Sequence, residues 1–381
     1  MPHVSVLAGA AGERARLAAR CGIILPRCRA GRTARRQRDP PPAGRVALSP
    51  GPPSEDTMSS TLRYLSDADV RELMPPMAEV VELVEQTLGH HGRGDTQMPP
   101  KVDLAPGGDA FVHAMPALVT PTGALGCKWI SGYPQNKAKS LPYINGSLLM
   151  NDVETGVPIG MLDASHITAV RTAACAAVTA KHLADPASEV ITLIGCGVQA
   201  RQVIEALLAV FPDTERMLAY DIDPEQQARF ADEVMTTFDL ASIIPPEPQE
   251  ACEGAHIIVS SIPIVHEPEA FIEPDWLQTG TLCIPLDFDA AFTPAAYQRA
   301  ELFVTDDAAQ FSRYRERGYF KDIPDPSAEL GAIVAGSGPV RPEGAPIVMS
   351  ANLGLGLLDV ALGQQLLQRA GAQSVGRELP L

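Results

Sequence analysis

Residues 191–203 read ITLIGCGVQARQV: a β-branched run, two glycines one residue apart, then an amphipathic stretch. A Gly-x-Gly pair alone carries little, but strand, tight turn and helix in that order form the setting in which a dinucleotide fingerprint has meaning. Gly195 permits the tight turn and Gly197 lets the backbone come close to a pyrophosphate. The helix start, with Val198 and Gln199, offers oriented N–H groups to that anion. Ala200 stands where a third glycine is usual, and the position needs only a small side chain for close helix–strand packing. The next strand-like run, RMLAYDI, ends near Asp221, 24 residues after Gly197. A carboxylate there accepts from both hydroxyls of an adenosine ribose and repels a 2′-phosphate, which favours NAD. Arg229, on the helix that follows, keeps NADP open. The plainer alternative is a tight turn without a ligand.

Outward from this stretch, short apolar runs (HIIVSSI, TLCIPLDF, AELFVTDD) alternate with helical ones such as PEQQARFADEVMTTF. That rhythm predicts an α/β, Rossmann-type doubly wound parallel sheet over about 187–315. Before Pro186 the pattern is mixed α+β. MAEVVELVEQTLGHHGRG is helical and stops at glycine, and AFVHAMPALV and GALGCKWISGYP read as strands. A hairpin is expected around Glu154–Gly156, followed by the Ala-rich helix HITAVRTAACAAVTAKHLA. The last helical run, SANLGLGLLDVALGQQLLQRA, has nowhere to pack in the parallel sheet and is expected to return to the first domain. The expected division is 58–185 with 318–381 as a substrate-binding and dimerisation domain, and 186–317 as the NAD-binding domain.

At 381 residues the chain is long enough for two domains, and its 45% hydrophobic and 20% charged content is ordinary for a globular protein. A net charge of −16 argues against nucleic acid or an anionic membrane as partner. No apolar run approaches the ~20 residues of a membrane helix. The seven cysteines are odd in number and contain no Cys-x-x-Cys, so free thiols in a reducing cytoplasm are expected. The eight histidines form no ligand pair at helical spacing, so no metal is expected. Small-molecule chemistry is the default. Residues 1–57 stand apart, with ten Arg, no Lys and four acids. Such a composition can mean an organelle transit peptide. The preferred expectation is a natural beginning at Met58, because MSSTLRYLSDADVRELM gives a strand and then a helix capped near Ser66 or Asp67. The residues before it would be disordered or spurious.

Several charged residues sit in apolar surroundings. Arg171, in ITAVRTAACAAV, is costly to bury unless an anion meets it, either a ligand or a structural acid such as Asp163. Lys128, in GCKWISGYP, lies within an apolar strand and either meets an anion or snorkels to the surface. Lys101 would ordinarily be exposed, and His113 in FVHAMPA would ordinarily be a satisfied core residue. Asp287 and Asp289, in IPLDFDAAF, fall at the carboxyl end of a predicted sheet strand, the edge where doubly wound domains bind ligands. One of the pair could equally be a structural cap.

Taken in order, HAMPA, CKWISGYPQN, LMNDVETGVPIGMLD, ITAVRTAA, IGCGVQAR, ELGAIVAG and SANLGLGLLD resemble the ornithine cyclodeaminase/mu-crystallin family of NAD(P)-dependent enzymes. The likeness runs from Met58 to about Ala370. It implies a substrate and dimerisation domain built from both chain ends, a homodimer, and a substrate carboxylate clamped at Lys101, Lys128 and Arg171. It also implies a catalytic aspartate at Asp289, thirteen residues after Trp276. Thr172 would lie by the nicotinamide or diphosphate, Ser260 or Ser261 would close over the cofactor, and Asn352 stands where cyclodeaminases commonly have serine. Four positions depart from the family pattern. Lys101 replaces an arginine and loses bidentate carboxylate recognition. His113 replaces an acid, Asp287-Phe288-Asp289 replaces Gly-Ala-Asp, and Tyr143 replaces a small residue. The resulting expectation is an NAD-dependent oxidoreductase at the α-carbon of a small amino or imino acid, of the amino acid dehydrogenase or ketimine reductase type. His113 would transfer a proton or guide water, since a histidine titrates near working pH. The alternatives are an ornithine cyclodeaminase-type ammonia-lyase with bound NAD, and a non-catalytic protein that binds NAD and a small ligand.

Overall fold

The computed structural model describes residues 61–344 and 346–381, so the expectations for residues 1–57 and for Met58 lie outside the described residues. The first strand and helix follow from local chemistry. β1 (Thr61–Leu65) ends at Ser66, whose hydroxyl caps α1 (Asp67–Leu73) by accepting from Asp69 N at 3.3 Å. Asp69 Oδ2 accepts in return from Ser66 N at 2.8 Å, completing a capping box. α2 (Met77–Gly92) follows, then β2 (Thr96–Gln97), β3 (Val102–Gly107), β4 (Ala110–Val119), β5 (Ala124–Gly132), β6 (Ile144–Asn151) and β7 (Pro158–Asp163). These strands and β16 (Arg377–Pro380) form one sheet in the order β16-β1-β7-β6-β5-β4-β2, with β3 on β4. All its pairings are antiparallel except β1 with β7.

Register decides which side chains look inward. Lys128 on β5 stands opposite Met115 on β4 and Leu148 on β6, and Leu148 stands opposite Leu162 on β7. All four are buried. Their neighbours on the other face include Trp129, Leu149, Ile159 and Met161, which are exposed. Lys128 therefore does not snorkel outward; the pleat turns it into the core.

α3 (Ser165–Leu183) is buried nearly all round, because its alanines let neighbouring helices approach closely. It packs on α2 and on α4 (Val198–Val210), the first helix of the second sheet. That sheet is wholly parallel, and its inner strands are buried, as their continuous apolar runs predict. Its elements in chain order are β8 (Val190–Ile194), α4, β9 (Arg216–Tyr220), α5 (Pro224–Phe238), β10 (Ala241–Ile243), α6 (Pro248–Cys252), β11 (Ile257–Ser260) and β12 (Leu282–Pro285). Next come α7 (Pro294–Arg299), β13 (Leu302–Thr305), α8 (Ala308–Glu316), β14 (Ala328–Glu329), α9 (Leu330–Val334) and β15 (Val348–Ala351). The spatial order is β10-β9-β8-β11-β12-β15-β13-β14.

The division expected at 317 is corrected here: β14 and β15 belong to the parallel sheet, β15 lying between β12 and β13. VMSA is a four-residue run buried on both faces, and it flows without a break into the apolar NLGLGLL. Periodicity cannot separate such a strand from the helix that follows it. The chain returns to the first sheet only as α10 (Gly356–Gln373), which packs across β4, β5 and β6.

Candidate functional site

The end of β8 builds a cradle. Gly195 has φ +87, and a Cβ there would stand 2.9 Å from the Ser261 carbonyl oxygen, so both backbone and space require glycine. Gly197 is different: its φ is −83, and an added Cβ would meet no protein atom within 4 Å. The space above that turn is open. α4 begins there with no side-chain cap and no acid in its first turn, leaving Ala200 buried behind it and Val198 exposed at the tip. Uncapped N–H groups at the positive end of a 13-residue helix, facing open space, fit a pyrophosphate.

Asp221 stands at the lip. Its Oδ2 accepts from Cys196 N and Gln226 Nε2, each at 2.7 Å, and its Oδ1 accepts from Asp223 N at 2.9 Å. The carboxylate is thus fixed against the glycine turn. Arg229 pairs instead with Glu225 one turn back on the exposed face of α5. Two residues unmarked in the sequence belong to this cradle. Arg201 Nη1 donates to the Cys196 and Gly197 carbonyls, both at 2.9 Å, and Ile222, beside Asp221, is 93% exposed.

The other expected cofactor residues are placed less uniformly. Thr172 Oγ1 donates to Thr168 O at 2.6 Å, and Gln199 Nε2 donates to Ala169 O at 3.1 Å, tying α4 to α3. The Ser261 hydroxyl reaches Gly195 O at 3.4 Å. Ser260 is buried and donates to Asp287 Oδ1 at 2.8 Å. The Asn352 amide donates to Thr179 Oγ1 at 2.9 Å and accepts from Ser350 at 3.0 Å. The side chains of Ser260 and Asn352 are therefore engaged inside the protein.

Three cations converge where α10 crosses the first sheet. Asp359, fully buried on α10, receives Lys128 Nζ on Oδ2 at 2.7 Å and Arg171 Nε on Oδ1 at 3.0 Å. The acid that meets Arg171 is thus Asp359 rather than Asp163, whose Oδ1 accepts from Ser165 N. Lys101 is buried, not exposed, and donates to the Leu353 carbonyl. The turn carrying that carbonyl joins β15 to α10. Asp306, at the end of β13, holds it by accepting from Leu353 N at 2.9 Å and Gly354 N at 2.6 Å. A Cβ on Gly354 would lie 2.9 Å from Arg171 Nη1, so the turn and the guanidinium are in direct contact.

Asp306 also bears on Lys101, and two carboxylates among three cations still leave positive charge in excess. Burial, followed by the charge of Arg171, pushes Lys128 down to about 7 and Lys101 down to about 8. A cation group of this kind favours the approach of an anion.

Asp287 and Asp289 diverge. β12 ends at Pro285, and Phe288 between the two acids has φ +65, so the alternation of a strand no longer applies. Asp287 turns inward to Ser260 and to Ile262 N at 3.0 Å, and burial pushes it up to about 7. It is the structural cap of the pair. Asp289 is half-buried and accepts from Phe320 N at 2.6 Å. Burial raises its pKa, while the Phe320 N–H and His266 act against that rise.

His113 lies 3.2 Å through Nε2 from Asp103 Oδ1 and stacks on Phe111 at 4.5 Å between centroids. Burial first, then Lys101, Lys128 and Arg317, push its pKa down to about 2. The expectation that it titrates near neutral pH is corrected: burial and the nearby cations favour the neutral ring. Asp103, unmarked in the sequence, also takes Arg313 at 3.4 Å, Arg317, and the Tyr314 hydroxyl at 3.3 Å.

The sequence model of the ornithine cyclodeaminase/mu-crystallin family matches residues 63–374. Nodulation efficiency protein NfeD of Rhizobium meliloti is 31% identical over 322 residues, covering 84% of this chain and 98% of that protein. The structure of Thermococcus litoralis Δ1-pyrroline-2-carboxylate reductase with NADH and L-proline superposes with a TM-score of 0.76 at 27% identity, covering 84% of this chain and all of that one. An archaeal alanine dehydrogenase dimer with bound NAD gives 0.75 at 26% identity, covering 84% and 100%.

The depressed lysines carry a prediction about pH. A bound carboxylate favours their charged forms, so binding near pH 8 takes up protons, and affinity falls as pH rises through about 7 to about 8. Calorimetric titration with pyruvate in buffers of different ionisation enthalpy measures that uptake; a buffer-independent heat would contradict the assignment.

Proposed function

The chain belongs to the ornithine cyclodeaminase/mu-crystallin family, and on that footing we propose that it is an NAD-dependent oxidoreductase acting at the α-carbon of an amino or imino acid. The observation that carries this reading is the buried, under-neutralised group Lys101, Lys128 and Arg171 around Asp359. Gly195, Gly197, the start of α4 and Asp221 would hold NAD, which when bound supplies the hydride acceptor or donor. Lys128 and Arg171, with Lys101, hold the substrate carboxylate and fix the α-carbon. Asp289, its pKa raised by burial, accepts a proton from the substrate ammonium. The neutral His113 ring, 3.2 Å through Nε2 from Asp103, orients water toward the imine carbon. Loss of the α-hydrogen as hydride and of a proton from nitrogen gives the imine, and attack by that water with loss of ammonia then gives the α-keto acid; hydride addition to a supplied imine gives the amino acid.

The exposed apolar face of the first sheet, with Trp129, Leu149, Ile159 and Met161, supports assembly as a homodimer. Sedimentation equilibrium should give twice the protomer mass, and Trp129→Glu should shift it toward the monomer; a wild-type monomer at micromolar concentration rules the dimer out.

Incubation with NAD and a panel of amino acids, reading NADH and ammonia together, tests the chemistry. Both should rise in step. Asp289→Ala should lower kcat by about 10²–10⁴ with NAD affinity retained. Ammonia without NADH would indicate cyclodeamination instead, and turnover surviving in Asp289→Ala would remove that residue from the mechanism.

A further inference from the structure

Around the cation group lies a set of aromatic rings. Phe288 meets Tyr314 at 4.7 Å between centroids and Tyr319 at 5.6 Å, and the two tyrosines meet edge to face at 5.7 Å. Beside these, Phe111 meets Tyr143 at 6.5 Å, and the His113 ring on Phe111 faces Tyr314 at 6.5 Å. Lys101 Nζ lies 6.0 Å from the Phe288 centroid and 5.7 Å from that of Tyr314, so the rings begin at the carboxylate clamp. They also adjoin Asp289, the residue after Phe288, which accepts from the backbone N–H directly after Tyr319. Phe111, Tyr143 and Tyr319 are half-buried, whereas Phe288 and Tyr314 are buried. The array thus has a packed floor and an open rim. Phe288 occupies a left-handed backbone conformation that bulky residues rarely adopt, and surrounding structure must hold it there.

We propose that Phe111, Tyr143, Phe288, Tyr314 and Tyr319 form a side-chain subsite for an α-amino or α-imino acid bearing an aromatic or bulky apolar, uncharged side chain. The proposal rests on the carboxylate clamp described above. Charge narrows the class. Asp103, the carboxylate touching the rings, is engaged by Arg313, Arg317, His113 and Tyr314, so it offers nothing further to a terminal ammonium. Lys101 already faces Phe288 and Tyr314, where a second cation would be repelled. Asp109 lies on an exposed turn in solvent. A terminal carboxylate gains less here than at the clamp, because Arg313 and Arg317 pair with Asp103 and stand partly in water, whereas Lys128 and Arg171 are cut off from it. Planar apolar groups remain, and edge-to-face rings receive them well.

Titration of the NAD-loaded protein with phenylpyruvate, pyruvate, 2-oxoglutarate and L-ornithine, read as initial binding, tests the subsite. Phenylpyruvate should bind at least about tenfold more tightly than pyruvate, from burial of its ring. Tyr319→Ala and Tyr143→Ala, at the half-buried rim, should each narrow that ratio threefold or more. Equal or tighter binding of pyruvate, 2-oxoglutarate or L-ornithine overturns the subsite while leaving the clamp in place. Failure of every carboxylate to bind overturns the clamp, and the subsite with it.

Discussion

One carboxylate shared by two cations organises the half of this molecule built on the first sheet. Asp359 on α10 joins Lys128 of β5 to Arg171 of α3, and all three side chains are withdrawn from water. Removing one partner from such a group costs about 3–5 kcal/mol, because it strands a buried charge. The group nonetheless remains short of negative charge, and Lys101 adds to the shortage. Its geometry is therefore stable enough to persist and electrostatically incomplete enough to draw in an anion.

The same place is where the parallel sheet reaches the first one. The turn after β15 carries the carbonyl that receives Lys101 and the glycine that touches Arg171, and Asp306 at the end of β13 pins both of its amides. A strand of the sheet that offers the dinucleotide cradle and the helix that offers Asp359 are thus one continuous piece of chain, β15 running through this turn into α10. A ligand held by the cations and a nucleotide held by the Gly195–Gly197 turn would be positioned by common structure rather than by a mobile loop.

Much of this was legible in the sequence. The strand–turn–helix at 191–203, the hairpin at 154–156 and the Ala-rich helix are local patterns, set by periodicity, glycine and side-chain size. The placement of β15 was not legible, because a strand buried on both faces has no alternation to display. Asp359 went unmarked for a related reason: in LGLLDVALG it looks like one acid on an apolar helix, and its partners lie 188 and more residues away. Asp103 sits on an otherwise exposed strand, and only folding brings arginines 210 and 214 residues distant onto it. Lys101, Lys128 and His113 stood out by residue type, but neither burial nor protonation can be read from type alone. The neutrality of His113 follows first from burial and then from three cations, which only the tertiary structure brings about.

The central claim is that the Asp359 group exists to receive a carboxylate. A crystal structure of the protein with NAD and an α-keto acid tests it most directly. The account predicts the ligand carboxylate within hydrogen-bond distance of Lys128 and Arg171, with its α-carbon between Asp289 and the nicotinamide ring. A ligand bound elsewhere, with the cations still closed on Asp359 alone, would contradict it.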